Sequence, residues 1–405
     1  ATSHGPIING VIEGIDSVDA PVALWWTALQ KPATLIKSFY ELNHAISFEA
    51  ARKAVSEISA PGLNIIYADT TGTIAWWAAA SLPVRDERLN DLARFFHDGA
   101  SGLDDHLEYY PFEKNPQAVN PPWGYIHTGN NQPDSVNGVI YPGYYYPRDR
   151  AGRIEQLLKE KNDWTVEEAA AMQLDHKSIT APETSATIAA VIGAGQLADI
   201  LRNWDGNHGL KDAGPAVYYN MLSQIIYGAM ADEIGAAALK DLLGSSVMRN
   251  SFNLFLANDS TGWWDNINTT QRETRRDIFM RAAERTEALL KEKCGPNPAD
   301  WQWGKIHYLK HNHPLGAIKL FDGIFSVGSF PVTGGNEVIN NLMFDLDTTG
   351  VFPVLAGPAL RKVSDLSDLS KGITVSPTGQ SGVLGSSFYK DEAKMYAEGK
   401  TRPML

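Results

Sequence analysis

Cysteine is nearly absent from this sequence: Cys294 is the single thiol in 405 residues. That excludes an internal disulfide framework and a multi-cysteine metal site. Cys294 sits in Lys291-Glu292-Lys293-Cys294-Gly295-Pro296, a helix-end pattern, and is expected to be inert. Low cysteine usage leaves the compartment open, because exported proteins also do without disulfides. No apolar run approaches the length of about 18 residues that a bilayer span requires. The longest candidate, 74–84, is interrupted by Ser81 and Pro83. Basic residues are in deficit, 35 against 47 acids for a net charge of −12, and no local basic stripe offsets it, so nucleic-acid binding is not expected. With 43% hydrophobic and 20% charged residues the chain has ample material for a core, which excludes intrinsic disorder. The start, Ala1-Thr2-Ser3-His4-Gly5-Pro6, has no initiator methionine, basic region or apolar stretch, and reads as the interior of a processed or trimmed chain. The common catalytic signatures are missing too. There is no phosphate-cradling loop, dinucleotide fingerprint or His-Glu-x-x-His, and Gly379-Gln380-Ser381-Gly382 falls short of a nucleophile elbow.

What is present falls into three stretches. Residues 1–149 begin strand-rich: Val22-Ala23-Leu24-Trp25-Trp26-Thr27 is a run of strand length, and 63–68 and 73–80 flank Asp69-Thr70-Thr71-Gly72 as a β-hairpin. Between them, 47–59 places Phe48, Ala51, Val55 and Ile58 at helical spacing. A turn-rich connector over 83–149, closed by Gly143-Tyr144-Tyr145-Tyr146-Pro147, has the length of a functional loop. Residues 150–298 are mainly helical, with a capping box at Thr165-Val166-Glu167-Glu168 and a stop at Gly295. Residues 299–405 return to short strands, expected at 317–320, 324–327, 339–346 and 360–363. The fold class is α+β.

Four polar or aromatic groupings are candidates for chemistry. His307, His311 and His313 would share one face of a strand and could collect a metal, although a hydrogen-bonded polar seam explains them more simply. Asp365 and Asp368 read as a solvated turn. The sequence Gly129-Asn130-Asn131-Gln132-Pro133 sets three carboxamides at the end of an apolar strand. Such amides can donate to a developing oxyanion, and by residue chemistry alone they are equally a turn-forming Asn pair, the simpler account. Arg148-Asp149-Arg150 enters a helix. Paired tryptophans (25 and 26, 76 and 77, 263 and 264) would suit aromatic stacking, but pairs of this kind commonly place one ring in the core and the other at its rim.

Several segments together resemble the penicillin acylase family, an N-terminal-nucleophile hydrolase family. They are Thr2-Ser3-His4-Gly5-Pro6, Tyr67-Ala68-Asp69, Asn115-Pro116, Gly124-Tyr125-Ile126, Asn130-Asn131-Gln132-Pro133 and Trp204-Asp205-Gly206. They continue with Trp303-Gly304-Lys305-Ile306-His307, His313-Pro314-Leu315-Gly316, Gly334-Gly335-Asn336, Gly357-Pro358 with Arg361, Gly379-Gln380-Ser381-Gly382 and Tyr396-Ala397-Glu398-Gly399. Their order spans nearly the whole chain.

The resemblance implies part of a four-layer αββα core with a large helical insertion. It implies an amidase in which a serine hydroxyl, exposed by self-cleavage at the start of the β chain, attacks an amide carbonyl. The serine's own α-amine is the base, with an ordinary pKa of about 7.7–8.0 that suits it to the role, and an acyl-enzyme follows. Carried over residue by residue, Asn130 takes the oxyanion-hole position, Arg150 that of the arginine organising the site, and Leu63 an apolar position lining the acyl pocket. The matched region begins inside the family's β chain. The nucleophile is therefore expected on an upstream segment of the same precursor, the α chain and start of the β chain, and this stretch alone is expected to hydrolyse no amide. No cofactor is expected. Where the best-known members place an acidic calcium ligand this sequence has Val139, so no metal ligands are assigned. A periplasmic or secreted bacterial location is implied. The expected substrate is a small N-acyl amide with a penicillin-like side chain. The alternatives are an acyl-homoserine-lactone or cephalosporin acylase and, from another class, a non-catalytic ligand-binding homologue.

Overall fold

The hairpin signal at Asp69-Thr70-Thr71-Gly72 comes from residues that each satisfy a turn requirement. Asp69 Oδ1 accepts from the Thr71 and Thr73 backbone N–H groups at 2.8 and 3.1 Å, and Gly72 takes φ +93°. In the computed structural model, which describes residues 2–12, 14–15, 18–86, 88, 95–105, 108–133, 141–244, 246–249 and 251–404, this turn joins β1 (Leu63–Ala68) to β2 (Ile74–Ala79). The Thr71 and Tyr67 hydroxyls that donate to Asp69 hold its carboxyl down at about 2. The chain divides into two compact units, 1–128 with 132–145, and 129–131 with 146–405.

In the first unit β2 is the central strand of a three-stranded sheet, between β1 and β3 (Gln117–Val119). Alternation along β2 buries Ala75, Trp77 and Ala79 on one face. Against that face lies the helix expected from the spacing at 47–59. A short helix α1 (Thr27–Gln30) and α2 (Leu35–Asn43) precede this α3 (Phe48–Ser56), whose Ser47 cap accepts from Ala50 N at 3.1 Å. Ala51, Ala54 and Val55 form its buried face. α2 keeps an apolar stripe outward, with Ile36 85% and Tyr40 65% exposed. The connector contributes β3 and the buried Asn115, whose amide donates to the Ala78 and Ala80 carbonyls at 2.9 and 2.8 Å and pins it to the sheet edge.

The second unit is built on helices α4 (Asp149–Glu160), α5 (Val166–Gln173), α6 (Ala181–Ile192), α7 (Gln196–Asn203), α8 (Ala213–Ile234), α9 (Ala236–Gly244), α10 (Ser246–Arg249), α11 (Phe252–Ala257) and α12 (Arg275–Cys294). α8 carries apolar or small residues all round, as a helix enclosed by others must. It packs on α12, α7 and α9. The capping box at Thr165 and Glu168 forms, and α12 stops at Gly295, φ +122°. Residues beyond 299 share this core: Trp301, Trp303, Phe344 and Phe352 pack in the same cluster as α8. They belong to, or lead into, a sheet of β4 (His307–His311) flanked by β5 (Val327–Pro331) and β6 (Phe352–Pro353). A last sheet of β7 (Arg361–Val363), β8 (Ile373–Val375) and β9 (Arg402–Pro403) follows, with helices α13 (Lys319–Phe325) and α14 (Ala393–Ala397) in the C-terminal stretch. Among the described residues no helix is long and apolar enough to cross a membrane.

Several expected strands do not form. The run at 22–27 makes one bridge, Ala23 to Ile7, and its end enters α1. Pro6 has no N–H to extend that ladder, and Gly5 lies so close that a Cβ would stand 2.1 Å from Leu24 O. Residues 317–320 and 324–327 fall largely in a 3-10 turn (Pro314–Ala317) and α13, because Pro314 after a His313 cap starts a helical turn. Over 339–346 there is one bridge, Met343 to Ala356. The Asn336 side chain occupies both backbone groups of Phe344, donating to its O at 3.1 Å and accepting from its N at 3.1 Å, which a strand partner would otherwise use. The carboxamides at 130–132 follow an irregular segment rather than an apolar strand.

Gly214, in the first turn of α8, tests the helix packing. A Cβ there would lie 2.1 Å from Cδ1 of the buried Trp204, whose Nε1 donates to Asn207 O at 2.7 Å. Helix propensity alone favours alanine over glycine by about 1 kcal/mol. Gly214→Ala is nonetheless expected to destabilise by about 1–3 kcal/mol through overpacking, read from urea unfolding. A stabilised variant would show that Trp204 moves aside freely.

Candidate active site

Residues 129–131 are held against the start of α4 by a set of close contacts. Gly129 is buried, and a Cβ on it would stand 2.9 Å from Ala151 N, so only glycine fits. Asn130 takes φ +62°, a left-handed conformation that asparagine tolerates better than most residues. Its carbonyl accepts from Tyr146 N at 2.9 Å, and Asn131 forms a parallel bridge to Tyr146.

Arg150, the second residue of α4, closes the arrangement. Its Nη2 donates to Gly129 O at 2.8 Å and to Asn130 Oδ1 at 3.0 Å, and its guanidinium lies 5.3 Å from the Tyr146 ring centroid. A guanidinium only donates, so the Asn130 atom it meets is the amide oxygen, and the Asn130 NH₂ is turned away from Arg150. Asn130 is exposed while Arg150 is half-buried. Burial lowers the Arg150 pKa from its ordinary value, with the Asp149 charge opposing. Asp149 is itself buried, which raises its pKa, and its Oδ1 accepts from Arg150 N at 2.5 Å.

Beside this pair is a cavity of about 140 Å³, bordered by Tyr146, Asp149, Tyr218, Arg249 and Glu337 among others. Glu337 and Tyr219 were not singled out by sequence; the one available signal was an acid directly after Gly334-Gly335-Asn336 in an otherwise apolar stretch. Glu337 contacts the Tyr219 hydroxyl, which lies 2.9 Å from His208 Nε2, and His208 Nδ1 donates to Gly206 O at 2.8 Å. Burial pushes His208 down to about 3, so its ring is neutral and Nε2 needs a donor. Tyr219 has one proton and cannot give it to both neighbours. The Tyr219 hydroxyl donates to Glu337 Oε2, which favours the carboxylate, but burial outweighs it and pushes Glu337 up to about 7.

The remaining candidates lie on other elements. Leu63 begins β1 in the first unit, half-buried and paired with Ala79. Val139 lies outside the described residues, as does Ala1. His307 and His311 are in β4, which has a bulge after Leu309. His307 Nδ1 pairs with Phe352 O at 2.7 Å, and His313 caps the following turn, so the three do not assemble as metal ligands. Asp365 and Asp368 accept from Ser367 and Ser370 in exposed turns. Cys294 is buried, which raises its thiol pKa. Trp77 and Trp264 are core residues and their neighbours Trp76 and Trp263 lie toward the rim.

Comparison with known proteins places this chain in a family. A penicillin amidase family profile matches residues 1–405, and the chain belongs to that family. An acyl-homoserine lactone acylase of Pseudomonas aeruginosa is 25% identical over 98% of this chain and 52% of its own length. A penicillin acylase 2 proenzyme of a Pseudomonas species is 24% identical over 100% of this chain and 51% of its own. The chain thus spans about half the length of the curated relatives it matches. The thermostable penicillin G acylase of Alcaligenes faecalis superposes with a TM-score of 0.61 at 17% identity, covering 100% of this chain and 74% of that one, so the fold is shared.

The Glu337 chain gives a signed pH dependence. A carboxyl raised from 4.5 to about 7 contributes nothing against folding below pH 4.5, where both states are protonated. As pH rises toward 7 the unfolded chain ionises first and stability falls, by about 3 kcal/mol once above 7. Glu337→Gln is therefore expected to gain stability relative to wild type between pH 4.5 and 8, measured by urea unfolding at both. A difference that does not change with pH would show that Glu337 titrates normally.

Proposed function

We propose that this chain forms part of an amidohydrolase that cleaves small N-acyl amides through an acyl-enzyme. Asn130 supplies an oxyanion donor and Arg150 holds it. The observation that carries the reading is the single Arg150 nitrogen shared between Gly129 O and Asn130 Oδ1. It fixes which end of the carboxamide is the donor, and by polarising the oxygen it makes the N–H a stronger one. When a nucleophile attacks a carbonyl, negative charge gathers on the oxygen, and a donor already in place stabilises that charge without reorganising. In this reading the nucleophile is the N-terminal serine that the family resemblance implies, on an upstream segment of the same precursor released by self-cleavage, with its α-amine as base. Leu63 is the corresponding apolar contact for the acyl group. The outward apolar side chains Ile36 and Tyr40 on α2, with Ile46 98% exposed, support a partner segment that covers them. The same resemblance supports a periplasmic or secreted location. Penicillin-like side chains are the first reading of the acyl group. The acyl-homoserine lactone acylases among the relatives support a second, a linear acyl chain on a lactone amine.

In the complete enzyme, Asn130→Ala is expected to lower kcat by about 10²–10³, the effect of one lost oxyanion donor. KM should change far less, because the interaction strengthens only as charge develops. Steady-state kinetics on a chromogenic N-acyl amide reads both, and a near-normal kcat would return Asn130 to a turn-forming role.

Arg150→Lys separates the guanidinium from its charge. A lysine at the same burial starts from a lower pKa, about 10.4, and cannot reproduce the planar guanidinium fork. Desolvation then brings it closer to neutrality. The variant is expected to fold with an unchanged unfolding midpoint, to lose most of its kcat, and to shift the lower limb of its pH–rate profile. Full kcat with a lowered midpoint would make Arg150 purely structural.

A further inference from the structure

The first unit contains a cluster that the acylase reading does not use. His4 Nε2 lies 2.7 Å from Asp105 Oδ1 and 3.7 Å from Asp104 Oδ1. One donor atom from each of the three side chains falls within 4.8 Å of the others, and this is the one group of three such ligands among the described residues. His4 Nε2 and Asp104 Oδ1 are sealed from water, and neither makes an aligned hydrogen bond. The nearby Asp105 oxygen is at ion-pair distance but not along a hydrogen-bond direction. An imidazole nitrogen and a carboxylate oxygen sealed from water without an aligned hydrogen bond, with a second carboxylate at 2.7 Å, are groups that a shared cation would satisfy.

The backbone on both sides is fixed before any ion arrives. The turn carrying His4 is closed by Thr2 N to Gly5 O at 2.8 Å and by His4 N to Thr2 Oγ1 at 3.2 Å. The facing loop is turned by Ala100 N to Asp98 Oδ1 at 3.0 Å, and Gly99 lies beside the His4 ring, where a Cβ would make an ordinary contact at 3.9 Å. His97 Nδ1 lies 3.0 Å from Asp104 Oδ2, which holds one oxygen of that carboxylate and directs the other toward His4. Metal sites commonly orient a ligand in this way from a second layer.

We propose that His4, Asp104 and Asp105 bind one divalent transition-metal ion of the Zn²⁺ class, through His4 Nε2 and one oxygen of each carboxylate, with His97 positioning Asp104. Zn–N and Zn–O bonds of about 2.0–2.2 Å put tetrahedral ligand atoms roughly 3.3–3.5 Å apart. The two observed separations from His4 Nε2, 2.7 and 3.7 Å, bracket that spacing, so shifts of under about 1 Å admit the ion. The two carboxylates balance its charge, and a fourth position is open to water. One imidazole with two carboxylates favours Zn²⁺ over Ca²⁺, which takes six to eight oxygens. The ion would tie the turn at residue 4 to the loop at 97–105.

The test uses the complete protein as the cell makes it, stripped with a chelator and then titrated with Co²⁺ or Zn²⁺ alone. Wild type should bind one more Co²⁺ per molecule than His4→Ala or Asp104→Asn, with the intense visible bands of a tetrahedral site present only in wild type. Zn²⁺ should raise the Tm of wild type and not that of His4→Ala. His97→Ala should bind Zn²⁺ about 10–100-fold more weakly, as outer partners generally do. Asp105, 41% exposed at its side chain, gives a variant that leaves the packing intact should His4→Ala fail to fold. If Asp105→Asn binds Zn²⁺ with wild-type stoichiometry and affinity, or wild type shows no tetrahedral Co²⁺ spectrum, the cluster is an ion pair and the proposal is wrong.

Discussion

The contact on which the rest of the second unit's site depends is the Arg150 guanidinium against Gly129 O and Asn130 Oδ1. A left-handed asparagine costs roughly 1–2 kcal/mol, and each hydrogen bond to a charged group returns about 1.5–3 kcal/mol. The pair of bonds therefore offsets the strained backbone that presents Asn130. Each neighbouring choice serves the same contact. Gly129 lets the chain approach Ala151, Tyr146 offers a flat face and a backbone donor, and Asp149 places a carboxylate one residue before the arginine. The last of these resolves an electrostatic conflict. A cation in the first turn of a helix opposes the macrodipole, whereas an anion there is favoured, so Asp149 and Arg150 together are tolerated where Arg150 alone would not be.

Behind that contact the interior is crowded with groups that can carry charge, and their burial decides which of them do. His208 and His307 are pressed toward neutrality at about 3 and about 4 by desolvation, and Tyr219 is held protonated. Glu337 and Asp149 both face the cavity, and each raises the cost of ionising the other. Arg249 and Arg150 oppose that cost. Glu337 and Tyr219 interact directly, so the ionisation of one bears on the other.

The sequence was legible where a local rule and the tertiary environment agree. The Asp69–Gly72 hairpin, the Thr165 capping box, the Ser47-capped helix and the Gly295 stop all rest on side chains that satisfy nearby backbone groups. Such signals survive whatever surrounds them. The failures are places where a distant partner decided. The apolar run at 22–27 met Pro6 and found too few donors for a ladder, and 339–346 lost its pairing to the Asn336 side chain. Residues 317–325 fall in helical turns, the first of them begun by Pro314 after the capping His313, and only Val327 joins a strand. Asn130 was ambiguous in sequence because turn formation and oxyanion donation use the same residue type. Its left-handed φ and its Arg150 partner are set by the fold and are not visible in one dimension. Glu337 gave almost no signal, since a buried acid and a surface acid are written with the same letter.

Asn130 also shows how the site divides its labour between surface and core. The Asn130 side chain is exposed, while these contacts that fix it are drawn inward: the amide oxygen by a half-buried guanidinium, the backbone oxygen by Tyr146 N, and the preceding glycine by α4. In the proposed role, a donor held this way is oriented by protein groups before substrate arrives. An asparagine constrained only by its own turn would have to be ordered by each substrate, at an entropic cost charged to every turnover. The buried support also makes Asn130 sensitive to changes well beneath it: anything that moves α4 along its axis moves Arg150, and with it the direction in which the Asn130 amide points.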